Sequence, residues 1–219
     1  ARGRNLGIPS AVSVPSNRRE RRLMWPWEHL AFGYVLYSVF ARASWRASPT
    51  DLAAVVVAVA TQLPDLMDKP LSWGLGLTAT GYGPAHSLLV AGPVVVAVGV
   101  LAAQRGRPRA SAAFVVGYAS HLAADLLALR AGGPSPGRLL SPVGPRPPYA
   151  VDRGLVGRFV HYFQEFVAAT ADPRFLGLFV AYAGLFLLVA ALWVVDGAPG
   201  LAAPLRWAFG DDSADVSGR

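Results

Sequence analysis

The chain has 219 residues, of which 53% are apolar and only 15% charged, against about 25% charged in a typical soluble domain. It contains no cysteine, which excludes disulfides, thiolate nucleophiles and Cys-ligated zinc, and leaves any metal site to His and carboxylates. The net charge is +7, but the basic residues flank apolar runs and carry no aromatic-rich recognition motif. They read as loops beside anionic lipid headgroups, so membrane lipids are the expected partner and nucleic acid is not.

Residues 1–24 read as a basic tail ending in Arg18, Arg19, Arg21 and Arg22, without the short apolar core and small-residue cleavage site of a signal peptide. Residues 25–196 read as a helical membrane domain, and residues 197–219 as an acidic tail with Asp211, Asp212 and Asp215. Trp25-Pro26-Trp27-Glu28 opens the first helix, which runs to about Arg42: proline suits the first helical position and tryptophan the membrane interface. Ser48-Pro49-Thr50-Asp51 predicts a second helix start, with Ser48 as cap. That helix, Leu52 to Leu63, stops at Pro64 and spans about 20 Å, less than the hydrocarbon core of about 30 Å. Pro84 opens a third helix, Ala85 to Ala103, with a kink expected at Gly92-Pro93. A fourth runs from Ala110 to Leu129 and ends at Arg130 and Gly132-Gly133. The Gly/Pro-rich stretch from Gly132 to Pro148 reads as loop. Leu155 to Val167 has helical apolar spacing with a polar opposite face, which suits a helix lying in the interface. Phe175 to Val195 is the clearest span, without a charge. The expected architecture is an all-α polytopic membrane bundle of about five transmembrane or half-spanning helices plus one interfacial amphipathic helix.

Three of the four histidines fall with aspartates at helix ends. His29 lies in the first turn of helix one, Asp65 and Asp68 just past helix two, His86 in the first turn of helix three, and His121 and Asp125 one turn apart near the end of helix four. If four helices cross alternately, all six residues meet at one membrane face. Basic residues fall more often on that side, which the positive-inside rule makes cytoplasmic together with the N-terminus, although Arg105, Arg107 and Arg109 lie opposite. Mixed His/Asp ligands suit zinc most, or manganese or iron, better than calcium or magnesium. A bound ion acidifies water and polarises a carbonyl or phosphoryl oxygen, and a carboxylate, Asp68 or Asp125, can act as base. Such a site suits hydrolysis of an ester, amide or phosphoester of a lipid-like, membrane-associated substrate. Taken singly, these residues are more often caps, turn residues or structural pairs; ionisable groups within spans, however, default to function. His161 and Glu165 form another one-turn pair, read as a solvated polar face.

The motifs Trp27-Glu28-His29-Leu30-Ala31-Phe32-Gly33-Tyr34, Leu63-Pro64-Asp65-Leu66-Met67-Asp68-Lys69-Pro70, Ala85-His86-Ser87 and Gly117-Tyr118-Ala119-Ser120-His121-Leu122-Ala123-Ala124-Asp125 occur in this order. Together they resemble the LexA-binding, inner-membrane-associated hydrolase family, especially its haloarchaeal branch of metal-dependent hydrolases. The resemblance covers about residues 25–145. It implies a helical membrane protein with a divalent metal at His29, Asp65, Asp68, His86, His121 and Asp125. In the wider family the two aspartates are often closer together and followed by His; here Leu66 and Met67 separate them and Lys69 follows. The alternatives are a non-enzymatic assembly or regulatory subunit with a structural metal site, and a transporter that moves cations or protons.

Overall fold

A computed structural model describes residues 25–127, 139, 140, 143, 149, 151–170 and 175–201. The expected N-terminal tail, most of the expected C-terminal tail and most of the Gly/Pro-rich loop lie outside the described residues. The elements are α1 (Pro26–Trp45), α2 (Asp51–Ala60), α3 (Leu63–Lys69), α4 (Leu88–Gln104), α5 (Pro108–Leu127), α6 (Gly154–Thr170) and α7 (Phe175–Val195). A π-helical turn, Pro70–Gly74, continues α3, and a 3-10 turn, Pro84–His86, precedes α4.

The start of α1 follows its sequence signal. Pro26 occupies the first turn, and the Glu28 carboxylate turns back to accept the Trp25 N–H at 2.9 Å. Arg46 ends the helix in the left-handed region, φ 50°. The start of α2 differs from expectation. Thr50, not Ser48, is the cap, its side chain accepting from Ala53 N–H at 3.3 Å. Pro49 disfavours helical geometry for the residue before it, so the helix begins two residues later than Ser48 would set it.

Two further differences matter for the site. Pro64 does not lead into a loop: it sits in the first turn of α3, so Asp65 and Asp68 are held on a helix. Nor does the third helix run unbroken through His86. Ser87 is extended (ψ 122°) and caps α4, its side chain accepting from Val90 N–H, which leaves His86 in the preceding 3-10 turn. Pro93 lies inside α4. Between α4 and α5, Gly106 supplies a positive φ of 73° for the tight turn.

Helix α5 is the centre of the bundle, packed by α1, α2 and α4. Close approach depends on small residues. A Cβ at Gly117 would stand 2.9 Å from Ala60 Cβ and 3.0 Å from the Val57 carbonyl of α2. A Cβ at Gly33 of α1 would stand 2.3 Å from Thr61 Cγ2. The core that results holds Tyr34, Tyr37, Ala41, Ala53, Val57 and Ala113. On the outside, Leu52, Val55 and Val59 of α2, much of α4, and Leu185, Leu187 and Leu188 of α7 are exposed. A water-soluble surface rarely carries apolar area on this scale.

The described residues are helical with no strand. Among them one helix, Pro108–Leu127, is both long and apolar enough to cross a membrane; Leu88–Gln104 and Phe179–Val195 are apolar over shorter lengths. The sequence had singled out Phe175 to Val195; α7 has those bounds. Helix α6 runs a little beyond Leu155 to Val167, and Phe166 meets Trp25 and Trp27 at the start of α1, ring centres 5.1 and 5.8 Å away. The far end of the bundle is clasped: Asp196, just after α7, accepts from Tyr34 and Ser38 at 2.8 and 2.7 Å and pairs with Arg42.

Candidate metal centre

The chain path brings one end of each central helix together. His29 comes from the first turn of α1, Asp65 and Asp68 from α3 behind the end of α2, His86 from the 3-10 turn, and His121 and Asp125 from the last third of α5. The three imidazoles are buried, as are Asp68 and Asp125.

Hydrogen bonds fix two of the rings. His121 Nδ1 lies 2.6 Å from the Thr61 carbonyl oxygen. A carbonyl only accepts, so Nδ1 carries the proton and Nε2 keeps its lone pair. His86 Nδ1 lies 2.8 Å from Asp68 Oδ2 and donates to it, which leaves Nε2 as the position for either a second proton or a cation. Those two Nε2 atoms face each other at 3.1 Å. Two lone pairs at that distance would repel, so a proton or a metal cation must sit between or beside them.

Carboxylates complete the arrangement. Asp65 Oδ1 is 3.4 Å from His86 Nε2 and 3.9 Å from His121 Nε2; Asp125 Oδ2 is 3.4 and 3.7 Å from the same atoms. A tetrahedral ion with bonds of about 2.0–2.2 Å separates its ligand atoms by about 3.3–3.6 Å. The five separations straddle that range. Two imidazoles sharing one such ion through Nε2 hold their ring centres about 5 Å apart; His86 and His121 stand at 5.1 Å and 60°. Asp65, His86 and His121 therefore fit a divalent site of two nitrogens and one oxygen, with an Asp125 oxygen near the same two nitrogens.

Asp68 stands one layer back. Its oxygens receive the Ala85 and His86 backbone N–H groups at 3.2 and 2.9 Å as well as the His86 ring. It is not among the atoms that cluster closely enough to share an ion. A Cβ at Gly83 would meet its Oδ1 at 2.8 Å, so only glycine leaves the carboxylate this room. His29 stands to the side. Its Nε2 is 3.7 Å from Asp125 Oδ1, and its Nδ1 is buried with no hydrogen-bond partner among the described residues. His29, His121 and Asp125 lie within 4.8 Å of one another. However, the His29 ring stacks on His121 at 3.9 Å and 17° from parallel, too flat and too close for both to aim at one tetrahedral ion.

The charges around the cluster are balanced from outside. Lys69, one turn after Asp65, pairs with its Oδ2. Burial works against ionisation of Asp65, but its hydrogen bond with His86 and the charge of Lys69 outweigh this and hold the carboxyl below the usual carboxylate range. Burial likewise disfavours a charged His86, while its contacts with Asp65 and Asp68 outweigh it and push the imidazole up.

The family model of the YdjM inner membrane protein matches residues 24–197 of this chain. The chain belongs to the YdjM inner membrane protein family. Membership accounts for the apolar exterior and assigns the protein to a membrane. The matched segment contains every described element and the whole His/Asp cluster. No curated protein and no solved structure matches the chain.

Sequence reasoning did not find the Thr61 carbonyl, because any residue type supplies one. It also passed over Tyr82, whose ring meets His86 edge-on at 4.9 Å, and Lys69 as the partner of Asp65, although their spacing of four was a readable signal. His161 lies on α6, half-buried against Tyr162, with ring centres 5.5 Å apart.

Proposed function

We propose that this YdjM-family protein is a membrane-bound metal-dependent hydrolase acting on a lipid or membrane-associated ester, amide or phosphoester. The observation that carries the reading is the pair of facing Nε2 atoms of His86 and His121, flanked by Asp65 and Asp125 at tetrahedral spacing. The motif resemblance to LexA-binding, inner-membrane-associated hydrolases supports the same reading.

In this proposal His86, His121, Asp65 and Asp125 hold one divalent ion, zinc before manganese or iron, since mixed imidazole and carboxylate donors suit these ions. When bound, the ion acidifies a water and polarises the carbonyl or phosphoryl oxygen of the substrate. Asp68 and the Thr61 carbonyl lock the two rings in the tautomers that ligation needs. Asp68 is committed to three N–H groups, so proton acceptance falls to Asp125 Oδ1, on the side facing His29. Several of the helices cross the membrane, with the site and the N-terminus on the cytoplasmic side.

The test is metal analysis of purified protein beside hydrolysis assays on short-chain lipid esters and phosphoesters. Wild type is expected to carry one ion and His121→Ala none, with both folded and only wild type active. Absence of metal from folded wild type refutes the proposal.

A further inference from the structure

Beside the metal cluster lies a second constellation that the hydrolytic chemistry does not use. Arg158 of α6 is only 2% exposed. Its Nη2 donates to the Val151 carbonyl at 2.7 Å, and its guanidinium lies over the Tyr149 ring, 3.6 Å from the centre. Among the described residues no carboxylate pairs with it. A guanidinium carries five N–H donors, and burying one without an acidic partner is costly. In a membrane protein such a residue marks a site for a charged ligand by default.

Its surroundings tie it to the metal cluster. Tyr149 OH accepts from Trp73 Nε1 and Gly81 N–H at 3.2 and 3.1 Å. The Trp73 ring lies 5.9 Å from the Arg158 guanidinium and 5.5 Å from the Lys69 ammonium. Lys69 in turn pairs with Asp65 of the cluster. Both cations thus contact one tryptophan ring, and Lys69 reaches the facing imidazoles through Asp65. The rim alongside is apolar: Leu66, Met67, Leu75 and Leu77 are exposed on α3 and the segment after it.

We infer that Arg158, with Lys69, forms a subsite for a phosphoryl group of an amphiphilic substrate, whose apolar part lies on the leucine and methionine rim. This deepens the hydrolase reading and rests on it. Arg presents a planar fork that fits phosphate in bidentate fashion, and Lys adds a point charge. A doubly charged group accounts for the lack, among the described residues, of a carboxylate partner for Arg158.

The experiment measures metal content and calorimetric binding on the same preparations of full-length protein in detergent. The probes are inorganic phosphate and dihexanoyl phosphatidic acid. Wild type is expected to bind the short-chain phosphatidate more tightly than phosphate, and Arg158→Gln to weaken both at least tenfold while keeping its metal. Equal affinity of wild type for the two probes would point to free phosphate and overturn the amphiphile assignment. Should Arg158→Gln lose its metal or its fold, Arg158→Lys decides: weakened binding with metal retained supports the subsite, and unchanged binding overturns it. A metal-loaded wild type that binds neither probe, or whose affinity ignores Arg158, overturns this inference alone. A folded wild type without metal overturns the hydrolase reading and this inference with it.

Discussion

At the residue scale, the six polar side chains divide by what touches them. Because His29 stacks on His121 instead of converging with it, His29→Ala is expected to retain the ion that His121→Ala loses, as elemental analysis of the two variants would reveal. Asp68 acts through His86. Asp68→Ala is therefore expected to weaken metal affinity by about 10–100-fold, read by competition with a chelating dye; unchanged affinity would count against its positioning role. The residue types and their gathering at one end were legible in the sequence, since alternating helices bring His29, Asp65, His86, His121 and Asp125 to the same side. Their division of labour was not. Asp65 and Asp68 read alike on the page, and only the backbone N–H groups of Ala85 and His86 distinguish the one that stands behind the ring.

At the element scale, the spacing between α2 and α5 is set by Gly117, whose missing Cβ lets Ala60 and Val57 come close. Gly117→Ala forces that contact apart and is expected to cost about 1–3 kcal/mol, read as a lowered midpoint of thermal unfolding in detergent. A neutral result would mean that the two helices adjust freely. Helix existence was well indicated by caps and apolar runs, and α7 has the expected bounds. The errors cluster where proline is ambiguous. Pro64 does not end α2, which stops at Ala60, but lies in the first turn of α3, because proline lacks the N–H that a first turn leaves unused anyway. Pro84 opens a 3-10 turn, and the α-helix waits for Ser87. Both errors concern the segments that carry Asp65, Asp68 and His86, so the site is built from the least regular stretches of the bundle.

At the scale of the whole molecule, the clasp at Asp196 ties α7 to α1 at the end away from the cluster. Burial of Asp196 opposes its ionisation, but hydrogen bonds from Ser38, Tyr34 and Arg42, with the charge of Arg42, outweigh this and hold its carboxyl below its ordinary range. A depressed folded pKa adds stability that is full above the unfolded value, about 3.9, and is lost as pH falls through the folded value. Asp196→Asn is thus expected to unfold at lower temperature near neutral pH, with the gap to wild type closing at acid pH below about 4. A constant gap across that range would show that the carboxylate charge is irrelevant. The atoms proposed to hold the ion come from three separate stretches, and the last of them, Asp125, sits at the close of α5. A nascent chain cannot assemble the full set until that helix has been threaded into place, so cation capture would report that insertion of the first half is complete, and starvation for the ion would leave newly made copies open to proteolytic clearance.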